Sequence, residues 1–161
     1  MSIVCTQNKL KHDPGTQMSS DAKLKIENQI CHSLYSATNA LVRAYRPLLD
    51  VIDLTYPQYL VMLVLWEEDG VMVKRLVERT RFDAGTLTPI LKRLEQKRLI
   101  DRKVSVVDSR QKELRVTDDG WSLKKRALEI PEALACKINM SIDDAVELKM
   151  LAEKLYKAIC D

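Results

Sequence analysis

The sequence predicts a mostly α-helical chain carrying one small β-hairpin. Three observations lead there. Apolar residues recur every three or four positions over several long stretches, residues suited to helix N-caps precede most of those stretches, and a single pair of short β-type runs flanks a polar tip.

Residues 1–19 are polar, contain Pro14-Gly15 and show no periodicity, which predicts a flexible N-terminal tail. From about Ser20 the pattern turns helical, with Ile26, Ile30, Leu34, Leu41, Tyr45 and Leu48 at spacings of three, four or seven, stopping at or shortly after Pro47. At ~1.5 Å per residue such a helix is roughly 45 Å long, more than a small core needs. Part of its apolar stripe is therefore expected to pack on a second subunit. Thr55 and Gln58 form a capping-box pair, with Leu54 and Tyr59 placed as a hydrophobic staple. The stretch from Tyr59 to Trp66 reads as a buried helix closed by Asp69-Gly70, with Gly70 as its left-handed cap.

A short helix from about Val73 to Arg79 and another from Ala84 to Lys97, N-capped by Asp83, are joined by Thr80-Arg81-Phe82. Leu87, Ile90, Leu91 and Leu94 make the inward stripe of the second helix, and its outer face is polar: a helix-turn-helix. Strands from Leu99 to Val104 and from Glu113 to Val116 then enclose a charged tip, Val107 to Gln111, completing a winged helix-turn-helix. Two further helices start at the N-caps Thr117 and Ser141, the first kinked or interrupted by Pro131. Residues 20–161 are thus expected to form a single domain. Its helices at about 20–50 and 118–160 are expected to dimerise, and the lobe at about 55–117 to meet the partner molecule.

At 161 residues the chain is long enough for its own core. It shows no secretory h-region, and its longest apolar run is too short to span a bilayer, so a cytoplasmic protein without a membrane partner is expected. Cys5, Cys31, Cys136 and Cys160 lie far apart with no C-x-x-C and no histidine at ligand spacing, which argues against a metal site or a permanent disulfide framework. No cofactor is expected. The remaining readings are packing cysteines or a reactive thiol.

The formal net charge of +3 conceals an asymmetry. Between Lys74 and Arg126 stand sixteen Lys/Arg against eight Asp/Glu, and the rest of the chain is net acidic. A basic middle implies a face for a polyanion. The small and hydroxyl residues opening the 84–97 helix suit close approach to a DNA groove, where Thr86 and Thr88 can meet phosphates, base edges or thymine methyls. Lys92 and Arg93 lie one to two turns on. Pro89 falls early enough in the helix for its missing N–H to cost little. In the hairpin tip, Asp108 can hold Arg110 in a rotamer suited to the minor groove. These features point to double-stranded DNA as the partner, and a two-fold protein would need an inverted repeat with half-sites one turn, ~10 bp, apart.

Cys31 and Tyr35 are one turn apart on the first helix. A free cysteine on an amphipathic helix ordinarily packs. Tyr35, Tyr45 and Tyr56 offer another role, because phenol O–H groups can hydrogen-bond a thiolate and favour it. The residues alone do not bring these groups together.

The run from about Leu24 to Gly120 resembles the MarR family of winged-helix dimers, specifically its organic-hydroperoxide-sensing OhrR branch. The segments that carry the resemblance are Glu27-Asn28-Gln29-Ile30-Cys31, Tyr45-Arg46-Pro47-Leu48-Leu49-Asp50, Leu54-Thr55-Tyr56-Pro57-Gln58-Tyr59-Leu60, Gly85-Thr86-Leu87-Thr88-Pro89 and Asp108-Ser109-Arg110-Gln111. Ala84 departs from the serine common in that branch. The resemblance implies an interlocked homodimer, a non-enzymatic transcription repressor, with organic hydroperoxide as its signal. It makes Cys31 the peroxide-reacting thiol, with Tyr45 and Tyr56 hydrogen-bonding it and Tyr35 beside it. It further implies that Cys136 of the partner subunit captures the oxidised sulfur as a disulfide. The alternative on the same fold is a repressor that responds to small aromatic ligands without cysteine chemistry.

Overall fold

The computed structural model describes residues 20–104 and 112–160. The tail at 1–19 and the hairpin tip with Asp108 and Arg110 lie outside the described residues. Two units are distinguished, Met1–Ala40 and Leu41–Asp161.

In the first unit the expected long helix does not begin at Ser20. Two 3-10 turns, Ser20–Leu24 and Ile26–Asn28, precede helix α1, Ile30–Asp50. Lys25 and Gln29 adopt extended backbone, and the side chains of Asn28 and Gln29 explain why. Asn28 Nδ2 donates to the Ala22 carbonyl at 2.7 Å and Gln29 Nε2 to those of Lys23 and Lys25 at 2.6 and 3.2 Å. Side-chain amides here take carbonyls that an α-helix would use.

The second unit holds the core. Helix α2, Tyr56–Glu67, lies at its centre with Val61, Met62 and Leu65 fully buried. Its start is the anticipated capping arrangement: the Thr55 N–H donates to Gln58 Oε1 at 3.0 Å, which gives the buried Gln58 side chain a partner. Gly70 has the expected positive φ, 75°, but it does not cap α2, whose C-cap is Glu68. It turns the chain so that the Gly70 N–H meets the Leu114 carbonyl and the Leu114 N–H meets that of Val71, adding a short third edge to the wing.

Helix α3, Val73–Thr80, and helix α4, Ala84–Gln96, form the helix-turn-helix, with Leu76, Leu87, Leu91 and Leu94 in the core. Pro89 lies inside α4 beyond the four N–H groups a helix leaves unused, so its missing donor is a real loss and leaves the Gly85 carbonyl without its i+4 partner. Strands β1, Ile100–Val104, and β2, Lys112–Val116, pair antiparallel in the register Ile100↔Val116 to Val104↔Lys112. Ile100 and Leu114 point into the core. Asp69 ties the wing down by accepting from the Val116 N–H at 2.7 Å.

Beyond the wing there are three helices rather than two: α5, Asp118–Ala127; α6, Ile130–Ala135; and α7, Ile142–Cys160. Pro131, at the start of α6, makes the interruption foreseen for it. Thr117 caps α5 by accepting from the Gly120 N–H at 3.1 Å, and Ser141 caps α7 by accepting from the Asp144 N–H at 3.1 Å. No residue of α7 is buried, and Ile142, Val146, Leu148, Met150, Leu151 and Ile159 stand open to solvent. No described helix is long and apolar enough to cross a membrane.

Candidate nucleic-acid interface and thiol site

Helix α4 divides cleanly into two faces. Leu87, Leu91 and Leu94 are buried, whereas Gly85, Thr86, Thr88, Pro89, Lys92 and Arg93 are all exposed. Asp83 fixes the start of the helix. Its Oδ1 accepts from the Thr86 N–H at 2.7 Å and its Oδ2 from the Thr86 hydroxyl at 2.6 Å. These bonds hold the carboxyl below the usual carboxylate range. Thr88 donates its hydroxyl to the Ala84 carbonyl at 2.8 Å. Both threonine protons are therefore engaged within the helix. What the two side chains offer a groove is oxygen lone pairs and methyl groups, suited to base amino groups and thymine methyls more than to phosphate.

The basic excess of this region sorts into two sets. Arg75 grips Glu68 through two bonds of 2.7 and 2.9 Å, Arg79 pairs with Glu67 and Glu68, Lys97 with Asp53, Arg102 with Glu95, and Arg115 with Glu113. Lys92, Arg93 and Arg98 have no carboxylate partner among the described residues. Lys92 and Arg93 thus stand uncompensated on the outer face of α4, with Arg98 just beyond it, where a polyanion would lie; Lys74, Lys103, Lys124, Lys125 and Arg126, on other elements, also have no carboxylate partner among the described residues.

The described thiols stand on three different helices. Cys31 is in the first turn of α1 and exposed, Cys136 is the exposed C-cap of α6, and Cys160 ends α7. Tyr35, one turn from Cys31, is 71% exposed. Tyr45 and Tyr56 lie together, with ring centroids 4.9 Å apart, and Tyr59 joins them at 5.9 Å from Tyr45. Sequence reasoning passed over Tyr59, although its i+3 spacing from Tyr56 on α2 puts both on one side of that helix. Burial raises the pKa of all three; for Tyr45, with Tyr56 and Tyr59 adding to the effect, it reaches about 12. The phenols therefore stay protonated at physiological pH. None donates a hydrogen bond to another described residue, so three neutral O–H donors remain unspent on one side of the core. Among the described residues no cluster of three His, Cys, Asp or Glu could hold a metal ion.

A groove of about 290 Å³ opens beside α2, lined by Tyr59, Leu63, Trp66, Glu67, Lys124, Ala127, Leu128 and Pro131. It is mostly apolar, and the Lys124 ammonium at its edge donates to the Trp66 carbonyl at 3.0 Å.

Residues 43–127 match the family model described as transcriptional regulator SarA/Rot. The organic hydroperoxide resistance transcriptional regulator of Bacillus subtilis is 43% identical over 133 residues, covering 83% of this chain and 88% of that protein. Among solved structures, reduced AbfR of Staphylococcus epidermidis bound to DNA is 30% identical, with TM-score 0.73 over 88% of this chain and 96% of that one. Disulfide-formed AbfR is 29% identical, with TM-score 0.58 over 86% and 92%. A MarR variant from E. coli complexed with operator DNA, 20% identical, shares the fold with TM-score 0.72 over 78% and 92%.

Proposed function

Because the chain belongs to the MarR family of transcription regulators, in the branch of organic-hydroperoxide regulators, we propose that it is a homodimeric DNA-binding repressor that releases its operator when Cys31 is oxidised. The observation that carries this reading is the outer face of α4. There small residues, threonine methyls and unpaired cations share one exposed surface above a buried leucine stripe. Two such helices related by a two-fold axis would enter successive major grooves of an inverted repeat, with Lys92 and Arg93 on phosphates or purine edges and the Asp108-Arg110 wing tips in the flanking minor grooves. The relative AbfR, bound to DNA in its reduced state, supports the DNA-binding reading.

The partner subunit supplies what the single chain lacks. The exposed apolar residues of α7 and the start of α1 would be covered by a second copy, with helices at 20–50 and 118–160 dimerising and residues 55–117 reading DNA. Such a protein works beside its DNA in the cytoplasm and turns over no substrate.

In the sensing step the Cys31 thiolate attacks the terminal oxygen of an organic hydroperoxide. The S–O bond forms as the O–O bond breaks, leaving a sulfenic acid and an alkoxide, which takes a proton from water to become the alcohol. The protonated phenols of Tyr45 and Tyr56, with Tyr35 nearby, act as hydrogen-bond donors that favour the thiolate. The Cys136 thiol of the partner subunit then displaces the sulfenic oxygen as water and closes a disulfide. Disulfide-formed AbfR supports chemistry of this kind. A shift of about 3 kcal/mol between the two states changes operator affinity by over a hundredfold.

The test takes a duplex selected by the protein from a random-sequence pool and adds cumene hydroperoxide. Wild type should release it and Cys31→Ser should hold it. Release by the serine variant would remove the sensing role and leave DNA binding standing. After peroxide, non-reducing electrophoresis should show a covalent dimer that Cys136→Ser cannot form. The groove beside α2 favours a second reading, a repressor responsive to small aromatic ligands; salicylate-driven release that survives Cys31→Ser would select it.

A further inference from the structure

Arg81 ends helix α3 with φ 60°, in the left-handed region that residues with a Cβ seldom adopt. That conformation sends its side chain out of the helix-turn-helix to a segment 72 residues away. Its two terminal nitrogens donate to Glu153 Oε1 and Oε2 at 3.1 and 2.6 Å. Its guanidinium also stands 3.8 Å from the ring centroid of Tyr156. A bidentate carboxylate pair and a cation–π contact on one arginine fix its position far better than a single ion pair does. Glu153 is held below the usual carboxylate range chiefly by the bonds from Arg81, although Lys149 and Lys157 on its own helix also face it.

Helix α7 has a second side. Glu153, Tyr156 and Cys160 share the face toward Arg81, whereas Leu148, Leu151, Leu155 and Ile159 recur at helical spacing on the opposite one. Leu148, Leu151 and Ile159 are exposed. One face of α7 therefore meets the turn that immediately precedes Asp83, the N-cap of α4, and the other is free to meet a second copy of the chain.

We propose that Arg81, Glu153 and Tyr156 form a latch that positions the DNA-reading helix α4 on α7, so that the geometry of the dimer seam sets the separation of the two reading helices. The proposal rests on the repressor reading above. In it, Arg81 and Glu153 are positioning residues with no contact to DNA, and they act on half-site spacing rather than on base choice.

Glu153→Gln keeps shape and removes the charge. The probes are a duplex selected by the wild type from a random pool and the same duplex with one base pair inserted at its centre. Wild type should favour the unaltered duplex strongly, and Glu153→Gln should reduce that preference by about threefold to tenfold. Dimerisation measured by sedimentation should be retained. The charge swap Arg81→Glu with Glu153→Arg should recover part of the preference. A preference equal to that of wild type would overturn the latch. So would tighter binding of both duplexes by Glu153→Gln, which would show Arg81 merely withheld from phosphate. A readout without DNA separates this from the repressor reading. Amide exchange of Phe82 and Asp83 in the free protein should quicken in Glu153→Gln, and equal exchange rates would dismiss the latch whether or not the wild type binds DNA.

Discussion

Gly120 lies where helix α5 leaves the wing, and the space around it is already full. A Cβ there would stand 2.3 Å from the Leu99 carbonyl oxygen and 2.7 Å from Val116 Cγ1. Neither neighbour yields cheaply, because the Leu99 carbonyl also accepts the Thr117 N–H at 3.1 Å and Val116 is fixed in the β1–β2 pair. In Gly120→Ala the helix must move outward by nearly 1 Å. Crowding of this kind costs about 1–3 kcal/mol. The same movement stretches the buried bond from Trp66 Nε1 to the Gly120 carbonyl, now 2.9 Å, for about 1 kcal/mol more. Alanine returns up to about 1 kcal/mol as the better helix former. The net loss is about 2 kcal/mol, or roughly 4–8 °C in Tm for a chain of this size. Thermal unfolding followed by circular dichroism measures it. Coupling to Trp66 supplies the internal check, since Trp66→Phe should cost less in the Gly120→Ala background than in wild type. A Tm within 2 °C of wild type, or strictly additive effects of the two substitutions, would refute the argument that α5 is held tight against the wing.

Two other substitutions probe the site. Tyr45 has a folded pKa of about 12 against 10 in the unfolded chain, so its stabilising contribution is complete below pH 10 and drains away as pH rises to 12. The full difference would be ~2.7 kcal/mol, which solvent screening of a partly exposed phenol reduces to about 1 kcal/mol; Tyr45→Phe should narrow the fall in stability between pH 10 and 12 by that amount in urea titrations, and parallel curves would count against a desolvated phenol cluster. Lys92→Ala should weaken binding to all duplexes alike and lower the slope of log affinity against log salt by about 1, whereas an unchanged slope would take Lys92 off the phosphate backbone.

The helix starts were legible because each depends on a few adjacent residues. Thr55 with Gln58, Asp83 with Thr86, and Ser141 with Asp144 are hydrogen-bonding pairs three positions apart, and the structure makes each of them. The segment before Ile30 was misread for the converse reason. Its apolar spacing is compatible with a helix, and the decision falls to Asn28 and Gln29, whose amides reach back four to six residues for carbonyls. Periodicity counts apolar positions and is blind to that competition. Gly70 teaches the same lesson at longer range. Its left-handed backbone was foreseeable, but its use, joining Val71 to Leu114, depends on a strand more than forty residues away.

For the site, the division of α4 into a buried leucine stripe and an exposed polar face could be read directly, since it needs only the helical repeat. Which cations are free could not. The positive excess between Lys74 and Arg126 looked uniform along the sequence, yet Arg75, Arg79, Lys97, Arg102 and Arg115 are each drawn onto a carboxylate. Glu67, Glu68 and Asp53 lie outside the stretch in which the basic residues were counted. The pairing acts as a filter: it neutralises arginines on the flanks of the helix-turn-helix and leaves Lys92 and Arg93 as charge on the reading face. In the proposed repressor, free cations there would raise affinity for any duplex, and the methyls and lone pairs of Thr86 and Thr88 between them would add sequence preference. In that reading Cys31 is not itself one of the DNA-facing residues. A redox signal acting through it would release DNA by altering where the two reading faces stand, which is why the contacts that hold α4 to the rest of its own chain would matter as much as those it makes to the groove.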